Sequence, residues 1–372
     1  MEKNKKRIIL FLPGLGNGGA ERVILRLLKY FIGQGYEACL VVASRKGKLA
    51  EKIHKNVSIN YLDSRYSLLC FFKYLKFIKN YKPDAILATL SSAIIISGLA
   101  SLVNYRRSYV LVIRVANIIN LKKSNPLRLI FETISLSMAD GIIFNSHGTK
   151  DSVEGLPILK KANKSIQVIS NPVLDDDYQD FISAHNKQQK LPKNIVLIGR
   201  FVQQKQIDHA ILAFKIIASR IDNVNLTIIG DGPQYHSVKK LIKIHELVER
   251  VKIETFCDDI PSLLMNSDCL INTSEFEGFG NIFIEGLAFC NQVVCYDSPG
   301  GASELLKQTD AKIVTQGDYK ALADQVIHLL SVNKPMNKNY DFLSNYTQKI
   351  ICKKYEDFIF DLKNKNNDKN II

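Results

Sequence analysis

Two glutamates, Glu277 and Glu285, stand eight residues apart around the turn Gly278-Phe279-Gly280, which ends an apolar strand at 268–272 and opens a helix near Phe279 or Asn281. Glycine lets the backbone approach a ligand closely, and the free N–H groups of a helix start attract phosphate. Two helical turns bring Glu285 round to roughly the face that carries Glu277. One acid can then address a sugar beside the phosphate, and the other a ribose diol deeper in. That arrangement suits a nucleotide-sugar. Taken alone, the pair would serve as well as a first-turn acid favoured by the helix dipole and a solvated helix residue.

Cations recur at comparable places. Gly199-Arg200-Phe201-Val202-Gln203-Gln204-Lys205 follows a strand at 195–199, so a guanidinium and an ammonium share one loop at a strand's carboxyl end. Arg as a fork and Lys as a point charge can clamp a pyrophosphate there, or both can be solvated surface cations. Gly230-Asp231-Gly232-Pro233 closes the next strand, with glycine admitting a close ligand and Pro233 starting a helix. Near the amino terminus, Gly14, Gly16 and Gly19 meet the G-x-G-x-x-G spacing of dinucleotide sites. Such a site also needs an acid at the end of the second strand, and Ala43-Ser44-Arg45-Lys46-Gly47 has none. Arg45 suits a 2′-phosphate instead, so an NADP-dependent oxidoreductase is a rival reading on these residues.

Taken in order, G-R-x-x-x-x-K at 199–205, G-D-G-P at 230–233, the E-x7-E pair and Pro299-Gly300-Gly301 resemble the second half of family-four retaining glycosyltransferases of the GT-B fold. Gly18-Gly19-Ala20-Glu21-Arg22 resembles a loop of members that extend lipid-linked glycans. The resemblance covers nearly the whole chain. It implies an α/β protein of two Rossmann-like domains facing a cleft. It also implies transfer of a hexosyl or N-acetylhexosaminyl group, with retention, from a UDP- or GDP-type nucleotide-sugar to a lipid-linked or polysaccharide acceptor, as in surface glycan or lipopolysaccharide synthesis. By the resemblance Arg200, Lys205 and Glu277 are catalytic, the cations stabilising the departing diphosphate. Gly16, Gly18, Gly19, Gly230, Phe279, Gly280, Asn281 and Glu285 bind the donor. No cofactor and no metal are implied, and the chain has neither H-x-x-x-H nor a D-x-D of the kind metal-dependent transferases use. Many relatives carry a His on the acceptor side where this chain reads Val112-Ile113-Arg114-Val115-Ala116-Asn117. Arg114 and Asn117 are the candidates there. His147, which also ends a strand, is either a third candidate or an ordinary helix-start residue.

The elements that must hold these residues alternate. Strands at 8–12, 38–43, 85–89, 110–114 and 141–145 interleave with helices at 20–33, 68–81 and 127–138, which implies a parallel sheet covered on both faces. A break at 168–173 and a polar run to 190 precede a restart at 195–199, followed by helices at 208–219, 235–245 and 260–266 and strands at 225–229, 251–254, 268–272 and 293–296. The domains expected are 1–172 for the acceptor and 173–345 for the donor, with a helix at about 346–362 returning to the first and a disordered tail at 363–372.

With 372 residues, 46% of them hydrophobic, the chain has enough for two cores. Seven cysteines without a C-x-x-C pair fit buried thiols in a reducing compartment. The formal net charge of +14 is unevenly spread: residues 1–172 hold 27 Lys+Arg against 10 Asp+Glu, and residues 173–372 hold 23 against 26. Such a basic half implies an anionic partner, read here as a membrane surface rather than nucleic acid; a non-enzymatic binder of either is the other rival. No secretory signal is read at the start, because Pro13 and Gly14 break the apolar run 8–12. The uncharged stretch 85–103 has nearly the length of a membrane span but is rich in serine, and is expected to divide into strand, turn and helix. Residues 68–82 interleave Lys with Phe and Tyr, as either an interfacial helix or a core-facing helix with a lysine face. The expected location is cytoplasmic, peripheral on the inner face of a membrane.

Overall fold

The computed structural model describes residues 5–16, 18–45, 47, 49, 57–63, 67–104, 106–118, 125–154, 164–184, 193–332 and 335–369. His185, Asn186, Gln188 and Gln189 of the polar run lie outside them. The chain forms two compact units, residues 1–172 with 348–372, and residues 173–347.

The first unit is built on seven parallel strands in the order β3-β2-β1-β4-β5-β6-β7, where β1 is Arg7–Leu12, β2 Glu37–Val42, β3 Ser58–Tyr61, β4 Ala85–Thr89, β5 Val110–Val115, β6 Gly141–Phe144 and β7 Ser165–Val168. Strand side chains alternate between faces, so one strand feeds two cores. Ile8, Leu10 and Leu12 pack beneath Val23, Leu27 and Phe31 of the helix Gly19–Gly33 and Ile351, Tyr355 and Ile359 of the helix Gln348–Lys369. Ile9 and Phe11 face the other way, onto Tyr74, Ile94 and Leu136 of the helices Ser67–Tyr81, Ser91–Val103 and Pro126–Met138.

The second unit repeats the plan with six parallel strands in the order β10-β9-β8-β11-β12-β13: β8 Lys193–Ile198, β9 Val224–Ile229, β10 Val251–Glu254, β11 Cys269–Asn272, β12 Val293–Tyr296 and β13 Lys312–Val314. The helices Ile207–Arg220, Tyr235–Ile244 and Tyr319–Val332 cover one face, and Ile260–Met265, Asn281–Phe289 and Gly301–Leu306 the other. Strand order reverses between β1 and β4 in one sheet and between β8 and β11 in the other, the place where open α/β sheets admit ligands.

One expectation is met and two are altered, for physical reasons. The stretch 85–103 is strand β4, a turn at Leu90 and the helix Ser91–Val103; among the described residues no helix is long and apolar enough to cross a membrane. The helix expected at about 346–362 is Gln348–Lys369, preceded by a short separate helix, Tyr340–Ser344; the two do not join because the Tyr346 carbonyl accepts from the N–H groups of Val173 (2.9 Å) and Leu174 (3.0 Å) instead of continuing a helix. The second of these helices runs on to Lys369, through most of the segment expected to be disordered. Buried Leu362 packs against Gly141, and the Lys363 ammonium lies 3.7 Å from the Asp84 carboxylate.

Candidate active site

In the second unit the four motifs, separate in sequence, are hydrogen-bonded into one platform at the carboxyl ends of the strands. The loop after β8 lies on the loop after β9: Phe201 N–H donates to the Asp231 carbonyl (2.9 Å), and the Phe201 carbonyl accepts in return from Gln234 N–H (3.0 Å). Gly230 makes this possible, since at φ +156° a Cβ there would stand 1.9 Å from the Gly199 carbonyl oxygen. The short 3-10 turn Gln203–Lys205 is then tied to the loop after β11. Thr273 Oγ1 donates to the Lys205 carbonyl (2.8 Å), Glu275 N–H to the Gln204 carbonyl (2.7 Å), and the Gln204 amide to the Phe276 carbonyl (2.7 Å). On the far side Glu277 N–H donates to the Pro299 carbonyl (3.0 Å), and buried Ser298 donates to the Ser274 carbonyl.

At the centre, Lys205 Nζ lies 2.5 Å from Glu277 Oε1. The same oxygen accepts from Ser274 Oγ (2.8 Å) and Asn272 Nδ2 (3.4 Å). Side chains of Lys205 and Glu277 are 17% and 9% exposed, so the pair is shielded yet reachable. An ammonium has three donors, so Lys205 can hold Glu277 and still donate to a phosphate oxygen. Arg200 is exposed on the same loop. The structure thus brings Lys205 and Glu277 together, with Arg200 exposed on the loop that carries Lys205, at the strand-order reversal between β8 and β11.

The other donor-side residues divide. Gly280 caps the helix Asn281–Phe289 at φ +79° without a side-chain hydrogen bond, and a Cβ there would strike the Phe283 ring. Asn281 and Glu285 are half-buried on that helix. Glu277, by contrast, lies before the helix, bridged to Gly300, so the shared helical face expected for the two glutamates does not exist. The Phe279 side chain belongs to the core, its ring 6.0 Å from that of Tyr346, which leaves only its backbone for a ligand.

In the first unit the glycine loop follows β1. A Cβ on Gly16 or Gly18 would come within 2.8 or 2.5 Å of the Glu21 carboxylate, which therefore lies over the loop. A carboxylate there repels phosphate, so the expected contact of Gly16, Gly18 and exposed Gly19 with donor phosphates is disfavoured in this arrangement. Arg114 needs correction: its guanidinium is fully buried, donating to Tyr355 Oη (2.9 Å), Thr89 Oγ1 (3.2 Å) and Asn171 Oδ1 (2.6 Å), and faces no ligand. Asn117 and His147 are exposed beyond β5 and β6, and the Asn145 amide joins those loops by donating to the Ala116 carbonyl (2.9 Å). Arg45 pairs with Asp63 at 2.9 Å and stacks on Tyr61, so the fork proposed for a 2′-phosphate is already engaged.

Sequence reading passed over Ser274, Asn272 and Glu21. For Ser274 a signal existed, its place three residues before Glu277. Asn272 reads as a strand terminus, and Glu21 as an ordinary first-turn acid. Thiols are poor nucleophile candidates: burial pushes the Cys295 thiol up to about 12 and raises those of Cys39, Cys70 and Cys269, and none of the seven cysteines is in a disulfide. Among the described residues no group of three or more His, Cys, Asp or Glu could hold a metal.

The family model described as "Glycosyltransferase Family 4" matches residues 17–176, and that described as "Glycosyl transferases group 1" matches residues 179–349. N-acetylgalactosamine-N,N'-diacetylbacillosaminyl-diphospho-undecaprenol 4-alpha-N-acetylgalactosaminyltransferase of Campylobacter jejuni is 26% identical over 355 residues, 90% of this chain and 93% of that protein. N-acetyl-alpha-D-glucosaminyl L-malate synthase of Bacillus anthracis is 29% identical over 177 residues, 46% of each chain. The chain spans half or less of the length of that synthase and of other curated relatives it matches. Among solved structures, Anabaena Alr3699/HepE in complex with UDP and glucose has a TM-score of 0.72 at 18% identity, covering 98% of this chain and 99% of that one.

Proposed function

Because the chain belongs to the GT-B glycosyltransferases, its two units carrying the family-four and group-1 domains, we propose that it transfers a sugar from a nucleotide-sugar to a lipid-linked glycan. The observation that carries this reading is the shielded Lys205–Glu277 pair at the strand-order reversal of the second sheet, inside the platform of four motifs. Lys205 and Arg200 stabilise the charge that grows on the departing diphosphate, and helix N-termini add to it. Glu277, held by Ser274 and Asn272, fixes the ammonium and positions the sugar. Glu285 takes the ribose hydroxyls.

Transfer proceeds with retention by front-face attack. The bond from the anomeric carbon to the phosphate oxygen breaks, and the acceptor hydroxyl oxygen bonds to that carbon on the same face. The hydroxyl proton passes to the departing phosphate oxygen, so no protein nucleophile is required. A UDP donor of a hexose or N-acetylhexosamine is favoured over a GDP donor, since the Anabaena relative binds UDP and glucose. The acceptor is a glycan on a polyprenyl diphosphate, as in the name of the Campylobacter relative, and the protein works at the inner face of a membrane.

Thermal shift with UDP, GDP and NADP, followed by donor hydrolysis over a panel of nucleotide-sugars, tests the reading. UDP should stabilise the protein and one UDP-sugar should be hydrolysed. Stabilisation by NADP alone would sink it, as would indifference to all three with tight binding to RNA.

A further inference from the structure

The helix Pro126–Met138 carries a large apolar patch on its outer face. It exposes Leu127 (65%), Ile130 (54%) and Phe131 (36%), while burying Leu136 together with the polar Glu132 and Ser135. Helices that cover a sheet ordinarily hide the apolar stripe and show the polar one. The packing explains the two buried polar residues. The neighbouring helix Ser91–Val103 approaches so closely at Gly98 that a Cβ there would stand 2.3 Å from that of Ser135. Only small side chains fit that seam. Glu132 is accommodated inside by Arg128, at 3.0 Å. Packing accounts for what is inside; it does not account for three large apolar side chains within five residues facing outward.

We infer that this face docks the protein on an anionic lipid surface, a conclusion that rests on the reading of a membrane-borne acceptor. Three observations select lipid as the occupant. The helix sits in the half of the chain with 27 Lys+Arg against 10 Asp+Glu, which suits an anionic plane. On the same face of the sheet the helix Ser67–Tyr81 presents Phe72 (58% exposed) with exposed Lys76 and Lys79, a second apolar group beside cations. In parallel α/β order both helices start at the carboxyl edge of the sheet, where substrates enter. Lys73 is not part of the surface in the same way, since its ammonium donates to the carbonyls of Leu62 (2.8 Å) and Asp63 (3.3 Å). Leu127, Ile130 and Phe131 would sink into the headgroup region while the cations meet the phosphates.

The chain has no tryptophan, so Phe131→Trp supplies a single reporter of insertion. With vesicles of phosphatidylglycerol and phosphatidylcholine at low salt, the wild type should co-sediment, and the indole emission of the Phe131→Trp variant should shift to the blue. Leu127→Glu with Ile130→Glu, both at exposed positions, should reduce co-sedimentation at least tenfold with an unchanged circular-dichroism melt. A double variant that binds vesicles as well as wild type, or an indole emission that vesicles leave unshifted, overturns the proposal. So does a wild type that ignores vesicles but sediments as a dimer that the double variant dissolves, which would give the face to a second copy. Transfer to a short water-soluble acceptor is measured in parallel. Its absence defeats the glycosyl-transfer reading alone, and vesicle binding alone decides the docking.

Discussion

At the carboxyl edge of the second sheet, polar side chains reach from one loop to the main chain of the next and converge on an ion pair that remains reachable from solvent. At the same edge of the first sheet, the charged groups are withdrawn. Arg114 is buried in a network of neutral acceptors, Arg45 is paired with Asp63, and Glu21 covers the glycine loop. The two sheets share a topology, and under the proposed function the difference follows from what their loops would hold, a donor at the second and an acceptor at the first. A nucleoside diphosphate presents the same charges at the same separation in every donor, so its site can be rigid and rich in motifs. An acceptor varies from one member of such a family to another, and the loops facing it carry few constraints beyond glycine and exposed polar groups.

The largest effect expected from testing this contrast is on stability. Arg114→Ala removes a large buried side chain and leaves Tyr355, Thr89 and Asn171 without their donor, which should cost about 3–5 kcal/mol in urea unfolding. An Arg114→Ala protein as stable as wild type but inactive would place catalysis in the first unit and break the comparison. Next, Lys205→Ala should remove about 2–4 kcal/mol of transition-state stabilisation, a loss of roughly thirtyfold to a thousandfold in kcat. A folded variant with an unaltered rate would refute the phosphate role. Arg200→Lys should lower kcat less than this, because the charge survives and only the fork is lost.

Smaller effects sharpen the division of labour inside the second unit. Glu285→Gln should weaken nucleotide binding by about 1–2 kcal/mol in calorimetry while leaving the fold intact; unchanged affinity would remove the ribose role. Ser274→Ala, which deletes one hydrogen bond to Glu277, should lower kcat by about 1 kcal/mol and spare nucleotide affinity. The smallest effect concerns Glu356, on the helix that returns to the first unit. Burial pushes its carboxyl up, but hydrogen bonds from Tyr36 (2.5 Å) and Tyr30 (2.8 Å) and the Lys353 ammonium outweigh that and hold it below the usual range. A depressed carboxyl contributes stability above its unfolded value, about 4.3, and loses it as pH falls through the folded value. Tyr36→Phe should therefore cost about 1 kcal/mol or less at pH 7 and flatten the loss of stability below pH 4. A variant whose acid profile matches wild type would show that the helix is held by its apolar face alone.

Sequence patterning located most strands and helices, because strands buried on both faces are short continuous apolar runs that stand out between amphipathic stretches. It missed β3, β7 and β13, short strands at or near the sheet edges with exposed or half-buried residues, where the apolar signal fades. The motifs of the second unit were legible because glycine, lysine and glutamate each carry a chemistry visible one residue at a time. The acceptor side was misread at Arg114 for the opposite reason. A strand-end arginine looks the same in sequence whether it points at a ligand or into the protein.

The sequence by itself determined the alternation of strand and helix, the two cores and the residue types of the motif platform in the second unit, since these follow from local periodicity and backbone sterics. Only the tertiary structure decided partners. It set Lys205 on Glu277, sealed Arg114 beneath Tyr355 and turned Leu127, Ile130 and Phe131 outward. Each of these depends on which distant residue the fold brings within about 3–4 Å, and charge pairing and close packing act at that range alone.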